Sequence, residues 1–111
     1  MGGVIEMAIR EANVSNYDDM IKEGFVIVDL YGENCNPCKM LSKVIEELNY
    51  ELDFINIVKV NITQNQYIAV KNDVSAVPTI LFMKDGRVLE RNLGFMNLEQ
   101  VKEKIGKYLY Y

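Results

Sequence analysis

The feature that most constrains this chain is a pair of cysteines separated by two residues, Cys35 and Cys38, which are the only cysteines in the sequence. Upstream, residues 25–31 form a nearly continuous apolar run, which is typical of a strand buried on both faces. Downstream, apolar residues recur at helical spacing from 41 to 52. The pair is therefore predicted to lie at the N-terminus of a helix that follows a buried strand.

This position has chemical consequences for the two thiols. The first N–H groups of a helix have no partner within it, and the aligned peptide dipoles place partial positive charge there, so the thiolate form of Cys35 is favoured. Residues three apart lie on one helix face, and their spacing suits the Cα separation of about 4.4–6.8 Å that a disulfide needs. Pro37 suits a first turn because it lacks an N–H. The spacing predicts a nucleophile and a resolving thiol.

A cysteine pair can also serve other purposes. Zinc sites need four ligands, whereas the chain has two cysteines and no histidine, so a metal would require a second chain or unusual carboxylates. A purely structural disulfide closing so short a loop would stabilise little. Two inert core cysteines are a third alternative. A C-x-x-C between strand and helix patterns favours a redox function.

Composition limits the class of protein. The 111 residues predict one domain, 1–111, with half of its residues apolar and a quarter charged. The net charge of −4, without a basic cluster, argues against nucleic acid or an anionic membrane as partner. No apolar run reaches the roughly 18 residues of a membrane span, and no secretory signal pattern opens the chain. We expect the protein to lie in a reducing cytoplasm, where a cysteine pair takes part in redox chemistry rather than in a structural disulfide.

The remaining sequence alternates between strand and helix patterns. Strands are predicted at 7–9, 25–31, 54–60, 79–83 and 87–93. Helices are predicted from a Ser15 cap to Ile21, ending at Gly24, then from the cysteine turn to about 52, over 64–72, and from Asn97 onward. The order βαβαβαββα, with right-handed crossovers, predicts an α/β fold: a three-layer α/β/α sandwich with a central mixed sheet.

Individual side chains carry further predictions. The pair Asp85-Gly86 indicates a tight hairpin turn, and Asn97 with Gln100 resembles a capping box. The residues predicted to face the core are Tyr17, Met20 and Ile21 in the first helix, Tyr67, Ile68 and Val70 in the third, Val88 and Leu89 in the last strand, and Leu98, Val101, Ile105 and Tyr108 in the last helix.

Asp29 is the unusual residue of the central strand pattern. A carboxylate inside an apolar strand that is buried without a partner costs several kcal/mol, and burial raises its pKa. The alternative is an aspartate at a strand end or sheet edge, exposed to solvent. The residues alone leave both interpretations open.

The motifs, taken together and in order, resemble the thioredoxin family. The resemblance runs from Val28-Asp29 through the segment 35–40, Lys59 to Ile62, Val77-Pro78-Thr79 and 84–86 to Leu93-Gly94. A C-x-x-C alone is a weak signal, whereas the full set in the right order over one domain is a specific one. The resemblance implies the thioredoxin fold and thiol–disulfide exchange with partner proteins.

The resemblance also implies roles for single residues. Cys35 would attack the disulfide of a partner, and Cys38 would resolve the mixed disulfide. Asp29 would be a buried acid that takes and returns the proton of Cys38. Lys59 would be the charge partner of Asp29, although a solvated lysine is the commoner fate of that residue type.

A substrate-binding surface follows from the same resemblance. The Val77–Pro78 bond would be cis and face the cysteines, so that the Val77 backbone pairs with an extended partner segment. Gly94 would let the partner approach closely, Pro37 would lie beside the thiols, and Tyr31 would pack near the site. Met40 is either a docking contact or part of the core.

Two residues depart from the family pattern. Asn34 stands where the family usually has tryptophan, and Asn36 where it usually has glycine. The loss of tryptophan removes a large apolar docking surface, whereas Asn36 adds a polar side chain beside the nucleophile. The intervening pair lacks the histidine of strongly oxidising relatives, and with Pro37 this favours a reductant.

The expected function is reduction of disulfides in partner proteins by a monomer that a thioredoxin reductase re-reduces, without a cofactor other than the redox-active disulfide. A specialised reductant of one or a few enzymes is the first alternative, and Asn34 motivates it. A docking module with dispensable cysteines and an oxidase or isomerase are the others.

Overall fold

A mixed five-stranded sheet lies between two layers of helices in the computed structural model, which describes residues 9–111. The strands are β1 (Ile9–Ala12), β2 (Phe25–Tyr31), β3 (Asn56–Asn61), β4 (Thr79–Lys84) and β5 (Arg87–Leu93). The helices are α1 (Tyr17–Ile21), α2 (Asn36–Glu51), α3 (Gln66–Lys71) and α4 (Leu98–Tyr108). The predicted element order and α/β class are confirmed. Within this part of the chain, no helix is long and apolar enough to cross a membrane.

The strand order places β2 at the centre of the sheet. The order is β1-β3-β2-β4-β5, in which β1, β3 and β2 are parallel and β4 is antiparallel to both of its neighbours. Every residue of β2 except Tyr31 is buried, as its apolar run predicts. The cysteine turn follows the carboxyl end of this central strand, the edge at which open α/β sheets assemble their sites.

Each face of the sheet has its own core. On one face, α2 and α4 cover the alternate strand residues Ile27, Ile57, Ile80 and Phe82. On the other face, the α1 and α3 residues Tyr17, Ile21 and Ile68 pack against Val28, Val58 and Leu81. Because side chains alternate along a strand, Asp29 lies on the same face as Ile27, beneath α2.

The predicted cap of the first helix was wrong. Asn16, not Ser15, occupies the N-cap of α1, and its side chain makes no capping hydrogen bond to the helix. Instead, the side-chain oxygen of Asn13 accepts the backbone N–H groups of Ser15 and Asn16 in a local turn. The helix also ends at Ile21, and Gly24, with φ +74°, follows in the turn before β2.

The bounds of two strands differ from the prediction. In the described part of the chain, β1 covers Ile9–Ala12 and so continues beyond its predicted end, whereas the predicted Met7 and Ala8 lie outside the described residues. β3 begins at Asn56 rather than Phe54, whose side chain is exposed. An apolar run alone does not locate the first ladder hydrogen bond of a strand.

The inward face of α3 was predicted only in part. Ile68 is buried together with Ala69, whereas Tyr67 and Val70 are exposed, so their predicted core positions were wrong. The helix has six residues, and fewer than two turns of periodicity do not determine a face.

A β-bulge decides which residue of β5 reaches the core. Phe82 is paired with Glu90 and Met83 with Val88, so Leu89 is the extra residue. Leu89 packs against the core on the α2 side, whereas Val88 is exposed and its predicted core position was wrong.

The predicted hairpin turn at Asp85-Gly86 and the predicted capping box of Asn97 and Gln100 are both confirmed. Asp85 and Gly86 both have positive φ, 50° and 82°, as a tight hairpin turn of the right twist requires. At the start of α4, the side chains of Asn97 and Gln100 each accept the backbone N–H of the other, at 2.9 Å. α4 also buries Val101, Ile105 and Tyr108, with Leu98 partly buried, as its periodicity predicts.

Candidate redox site

The two cysteines are joined in a disulfide with an S–S distance of 2.15 Å and a Cα–Cα distance of 5.2 Å. Cys35 is the N-cap of α2, and Pro37 lies in the first turn. Cys38 is buried, with 4% of its surface exposed, whereas Cys35 is half-buried and its neighbours Asn36 and Pro37 are exposed. Cys35 is therefore the more accessible cysteine of the pair.

The backbone at the start of α2 presents a donor to the Cys35 sulfur. The Sγ atom of Cys35 accepts the backbone N–H of Cys38 at 3.2 Å. An N–H at a helix N-terminus has no partner inside the helix, and the macrodipole adds partial positive charge. The same geometry would stabilise the negative sulfur of Cys35 after reduction.

Asp29 is buried, with 1% of its surface exposed, so the surface interpretation was wrong. Within residues 9–111, no group lies within hydrogen-bonding distance of either of its carboxylate oxygens. Burial is the main cause that raises the pKa of Asp29 to about 6, with Lys59 opposing the shift and Glu11 adding to it. A carboxyl group with this pKa exchanges its proton near neutral pH.

Lys59 is the register partner of Asp29 on the neighbouring strand. Among the described residues, however, no ion pair within 4.0 Å joins Lys59 to Asp29. The Lys59 ammonium donates instead to the Ser42 hydroxyl at 2.8 Å, and it lies 5.0 Å from the centre of the Tyr31 ring. Lys59 therefore acts on Asp29 through its charge rather than through contact.

Tyr31 is anchored at the end of the central strand. Its hydroxyl donates to a Glu11 carboxylate oxygen at 2.5 Å. The pKa of Tyr31 is raised, first by burial and then by its bond to Glu11. The ring stays neutral and lines the same cavity as Cys38.

A cavity of about 310 Å³ brings these residues together. The cavity lies beside the first turn of α2, and its lining includes Cys38 from α2 and Lys59 from β3. The lining residues are Tyr31, Gly32, Glu33, Asn34, Cys38, Lys39, Ser42 and Lys59. Cys38 and Lys59 therefore line one cavity, and Asp29 is the register partner of Lys59.

The loop before β4 and the end of β5 are tied together. The Val77–Pro78 peptide bond is cis, in keeping with the resemblance, and the carbonyl of Pro78 accepts the N–H of Gly94 at 2.8 Å. Gly94 has φ +95°, and a Cβ added there would meet no atom within 4 Å. The backbone conformation, not internal crowding, favours glycine, and the open space is on the outside.

Asn34 and Met40 lie before and after the two cysteines. Met40 is exposed, so the alternative that it belongs to the core was wrong. Asn34 is exposed and has φ +56°, a conformation that asparagine tolerates better than most residues. This backbone conformation is one reason why asparagine suits the position.

Sequence reasoning missed the polar residues that support the site. Glu33 accepts the side-chain amides of Asn61 and Gln64, and its N–H donates to Thr63, so the cysteine turn is bonded to the loop after β3. Ser42 was also missed. Its position four residues after Cys38, on the same helix face, was the available signal.

The fold, the accessible sulfur and its buried partner define a dithiol–disulfide oxidoreductase of the α/β class. The thioredoxin family model matches residues 8–107, and the chain belongs to the thioredoxin family. Thiol–disulfide exchange, with protein-disulfide reductase activity, is the chemistry of this family, and a redox-active disulfide carries it. No group of three potential metal ligands from histidine, cysteine, aspartate and glutamate occurs in the described range.

Individual relatives agree with the family match. The chain is 39% identical to a thioredoxin of Bacillus subtilis over 104 residues, which cover 93% of this chain and 100% of the relative. It is 38% identical to a thioredoxin of Staphylococcus saprophyticus over the same shares. A thioredoxin of Chlamydia trachomatis is 35% identical over 90% of this chain and 98% of its own length.

Proposed function

We propose that this chain, a single domain over residues 1–111, acts as a monomeric reductant of protein disulfides in the cytoplasm, where a thioredoxin reductase re-reduces it. One observation carries the proposal: a half-buried Cys35 sulfur accepts a helix N-terminal N–H and is bonded to a buried Cys38. No cofactor other than this disulfide is required. The net charge of −4 supports protein partners rather than nucleic acid or a membrane surface.

In the first step, the Cys35 thiolate attacks one sulfur of a partner disulfide. The partner's S–S bond breaks, a mixed disulfide forms through Cys35, and the departing partner sulfur takes up a proton. The hydrogen bond from the Cys38 N–H supports this role because it favours the thiolate before the attack.

In the second step, Cys38 resolves the mixed disulfide. Its thiol passes a proton to the Asp29 carboxylate, and the resulting thiolate attacks the Cys35 sulfur. The Cys35–Cys38 bond forms, and the second partner thiolate leaves and is protonated, so two electrons have passed to the partner. The pKa of about 6 supports Asp29 as acceptor, since it is ionised at neutral pH yet returns its proton readily. Lys59 favours the ionised carboxylate through its charge.

The partner segment is proposed to bind along the surface beside Cys35. The Val77 and Pro78 backbone would pair with an extended segment, and the open space at Gly94 would admit it. The exposed side chains of Asn34, Asn36 and Pro37 would contact the partner on the other side of the thiols, with Tyr31 packed behind them.

Reduction of insulin disulfides tests the reductase function. With dithiothreitol as electron donor, the protein should accelerate reduction, and the Cys35→Ser variant should lose the acceleration. A second assay supplies NADPH and a bacterial thioredoxin reductase in place of dithiothreitol, which tests the reductase partnership separately. Acceleration that persists in Cys35→Ser would contradict the proposal.

A specialised reductant is the second candidate function. The observation that favours it is Asn34, an exposed polar side chain at the position where thioredoxins usually present tryptophan. A specialist should reduce one disulfide protein at least tenfold faster than several unrelated ones. Similar rates toward all of them would instead support a general reductant.

A further inference from the structure

We propose that Ser42 is a positioning residue that holds the Lys59 ammonium near the Asp29 carboxylate but out of contact with it. The inference rests on the proposed role of Asp29 as proton acceptor, and it adds a residue that sets the charge environment of that acceptor.

Three charged residues form a row across the parallel strands. Lys59 on β3 is in register with Glu11 on β1 and with Asp29 on β2. Residues at one register level of a parallel sheet point to the same face, so the lysine lies between two carboxylates. On the sequence pattern alone, it could pair with either one.

The structure shows the ammonium paired with neither carboxylate. Among the described residues, no ion pair within 4.0 Å joins Lys59 to Glu11 or to Asp29. The Glu11 carboxylate accepts the Tyr31 hydroxyl instead, and the Asp29 carboxylate is buried without a hydrogen-bond partner. Contact with Asp29 would take the ammonium out of water, which costs free energy.

The Ser42 hydroxyl accepts a hydrogen bond from the Lys59 ammonium and holds it away from both carboxylates. Its hydroxyl lies 2.8 Å from the Lys59 Nζ atom, and the Tyr31 ring limits the ammonium on another side at 5.0 Å. Ser42 lies one helical turn after Cys38, and both residues line the same cavity as Lys59. A rigid helix therefore determines how far the positive charge lies from the carboxylate.

Few other groups could set the charge environment of Asp29. The titratable or charged groups that act on it are Lys59 from β3, Glu11 from β1 and Tyr31 from its own strand. β4 presents the apolar Ile80 at the same register. α4 contributes apolar residues to this core, and its Tyr108 hydroxyl is bonded to Glu90 at 2.6 Å.

Removal of the hydroxyl should release the ammonium toward water and the exposed Glu11, because both are less costly for a cation than the buried Asp29. The test follows the Asp29 carboxyl carbon by NMR across a pH titration of the oxidised protein. In Ser42→Ala, the pKa of Asp29 should rise by roughly half a unit relative to wild type, because a partly screened charge moves away. Ser42→Thr keeps the hydroxyl and should titrate like wild type.

Two controls separate this effect from a general one. In a Lys59→Met background, Ser42→Ala should no longer shift the Asp29 titration, because the ammonium it positions is absent. Lys43→Met removes a neighbouring exposed charge and should leave the titration unchanged. An unchanged or lowered Asp29 pKa in Ser42→Ala would overturn the inference, as would the same shift in the Lys59→Met background.

The result of the Asp29 titration does not depend on whether the protein reduces partner disulfides. The titration uses the oxidised protein and needs no partner, so it can fail while insulin reduction by the wild type succeeds. In Ser42→Ala, the pH dependence of the resolving step should move in the same direction as the Asp29 titration. Loss of rate without that movement would indicate a purely structural role for Ser42.

Discussion

Cys35 and Cys38 carry the same side chain, and only their surroundings distinguish them. The first is half-buried and accepts an amide N–H at the start of α2, whereas the second is buried one turn further along. The proposed order of attack and resolution follows from this difference.

Replacement of each cysteine in turn should therefore give different products. With the Cys38→Ser variant, attack on a partner disulfide should stop at the mixed disulfide, which non-reducing electrophoresis and mass spectrometry would detect. Cys35→Ser should trap far less, because its remaining thiol is buried. Equal trapping by both variants would contradict the assignment of Cys35 as nucleophile.

The buried carboxyl group of Asp29 should affect stability as well as proton transfer. Its folded pKa of about 6 lies above the ordinary value of 3.8, so the folded state binds the proton more tightly than the unfolded state. Stability should fall as pH rises from about 4 to 6, by at most roughly 3 kcal/mol. Asp29→Asn should lack this decline and gain stability relative to wild type above pH 6.

Urea unfolding of the oxidised protein between pH 4 and 7.5 would measure the difference. Asp53→Asn, at an exposed position, is the matched control and should follow the wild-type pH dependence. Parallel curves for Asp29→Asn and wild type would mean that the buried carboxyl does not destabilise the fold.

The positive φ of Asn34 predicts a particular tolerance to substitution. Asn34→Gly should change the free energy of unfolding little, because glycine adopts this conformation freely, whereas Asn34→Val should lower it by about 1–2 kcal/mol. Chemical denaturation would measure both variants. Equal stability of the two would show that the turn does not depend on this conformation.

Some residues of the site could be predicted from the sequence, and others could not. Asp29 was a candidate because a charge interrupts an apolar run, but the pattern left its burial open and only the structure decided it. The helical spacing of Ser42 from Cys38 placed it near the site but did not predict its bond to Lys59, because the ammonium could be accepted by any of three nearby groups. Such a choice among hydrogen-bond partners is made only in the folded structure.

The elements differ in how far their sequences determine them. α2 and α4 extend over several turns with unbroken apolar stripes, so the buried face of both helices, the extent of α2 and the start of α4 were predicted correctly. α3 has six residues, and β5 contains a bulge, so the faces of Tyr67, Val70 and Val88 could not be predicted. In these short or irregular elements, tertiary packing decides the outcome.

The helix caps provide a test at this scale. Asn97→Ala should remove half of the capping box of α4 and lower the free energy of unfolding by about 1 kcal/mol. Ser15→Ala is the control, because Ser15 resembles a cap in the sequence but does not cap α1. A loss for Ser15→Ala equal to that for Asn97→Ala would contradict the observed cap geometry.

For the whole molecule, stability comes from two cores on either side of one sheet rather than from the disulfide. The bond closes a loop between residues only three apart, so its entropic contribution is small, about 2 kcal/mol. The reduced protein should therefore remain folded, with a midpoint in urea lower by roughly 1 M. A double variant, Cys35→Ser with Cys38→Ser, should match it, and an unfolded reduced protein would refute this account.

The position of β2 has a consequence for repeated use. The cysteine turn follows a strand that is paired on both sides and buried along all but its last residue. The disulfide that forms and breaks lies at the start of the helix that follows this strand. Gain or loss of an electron pair thus alters covalent bonding without disturbing the scaffold beneath it. The molecule is expected to return to one structure after each turnover, as a reusable carrier must.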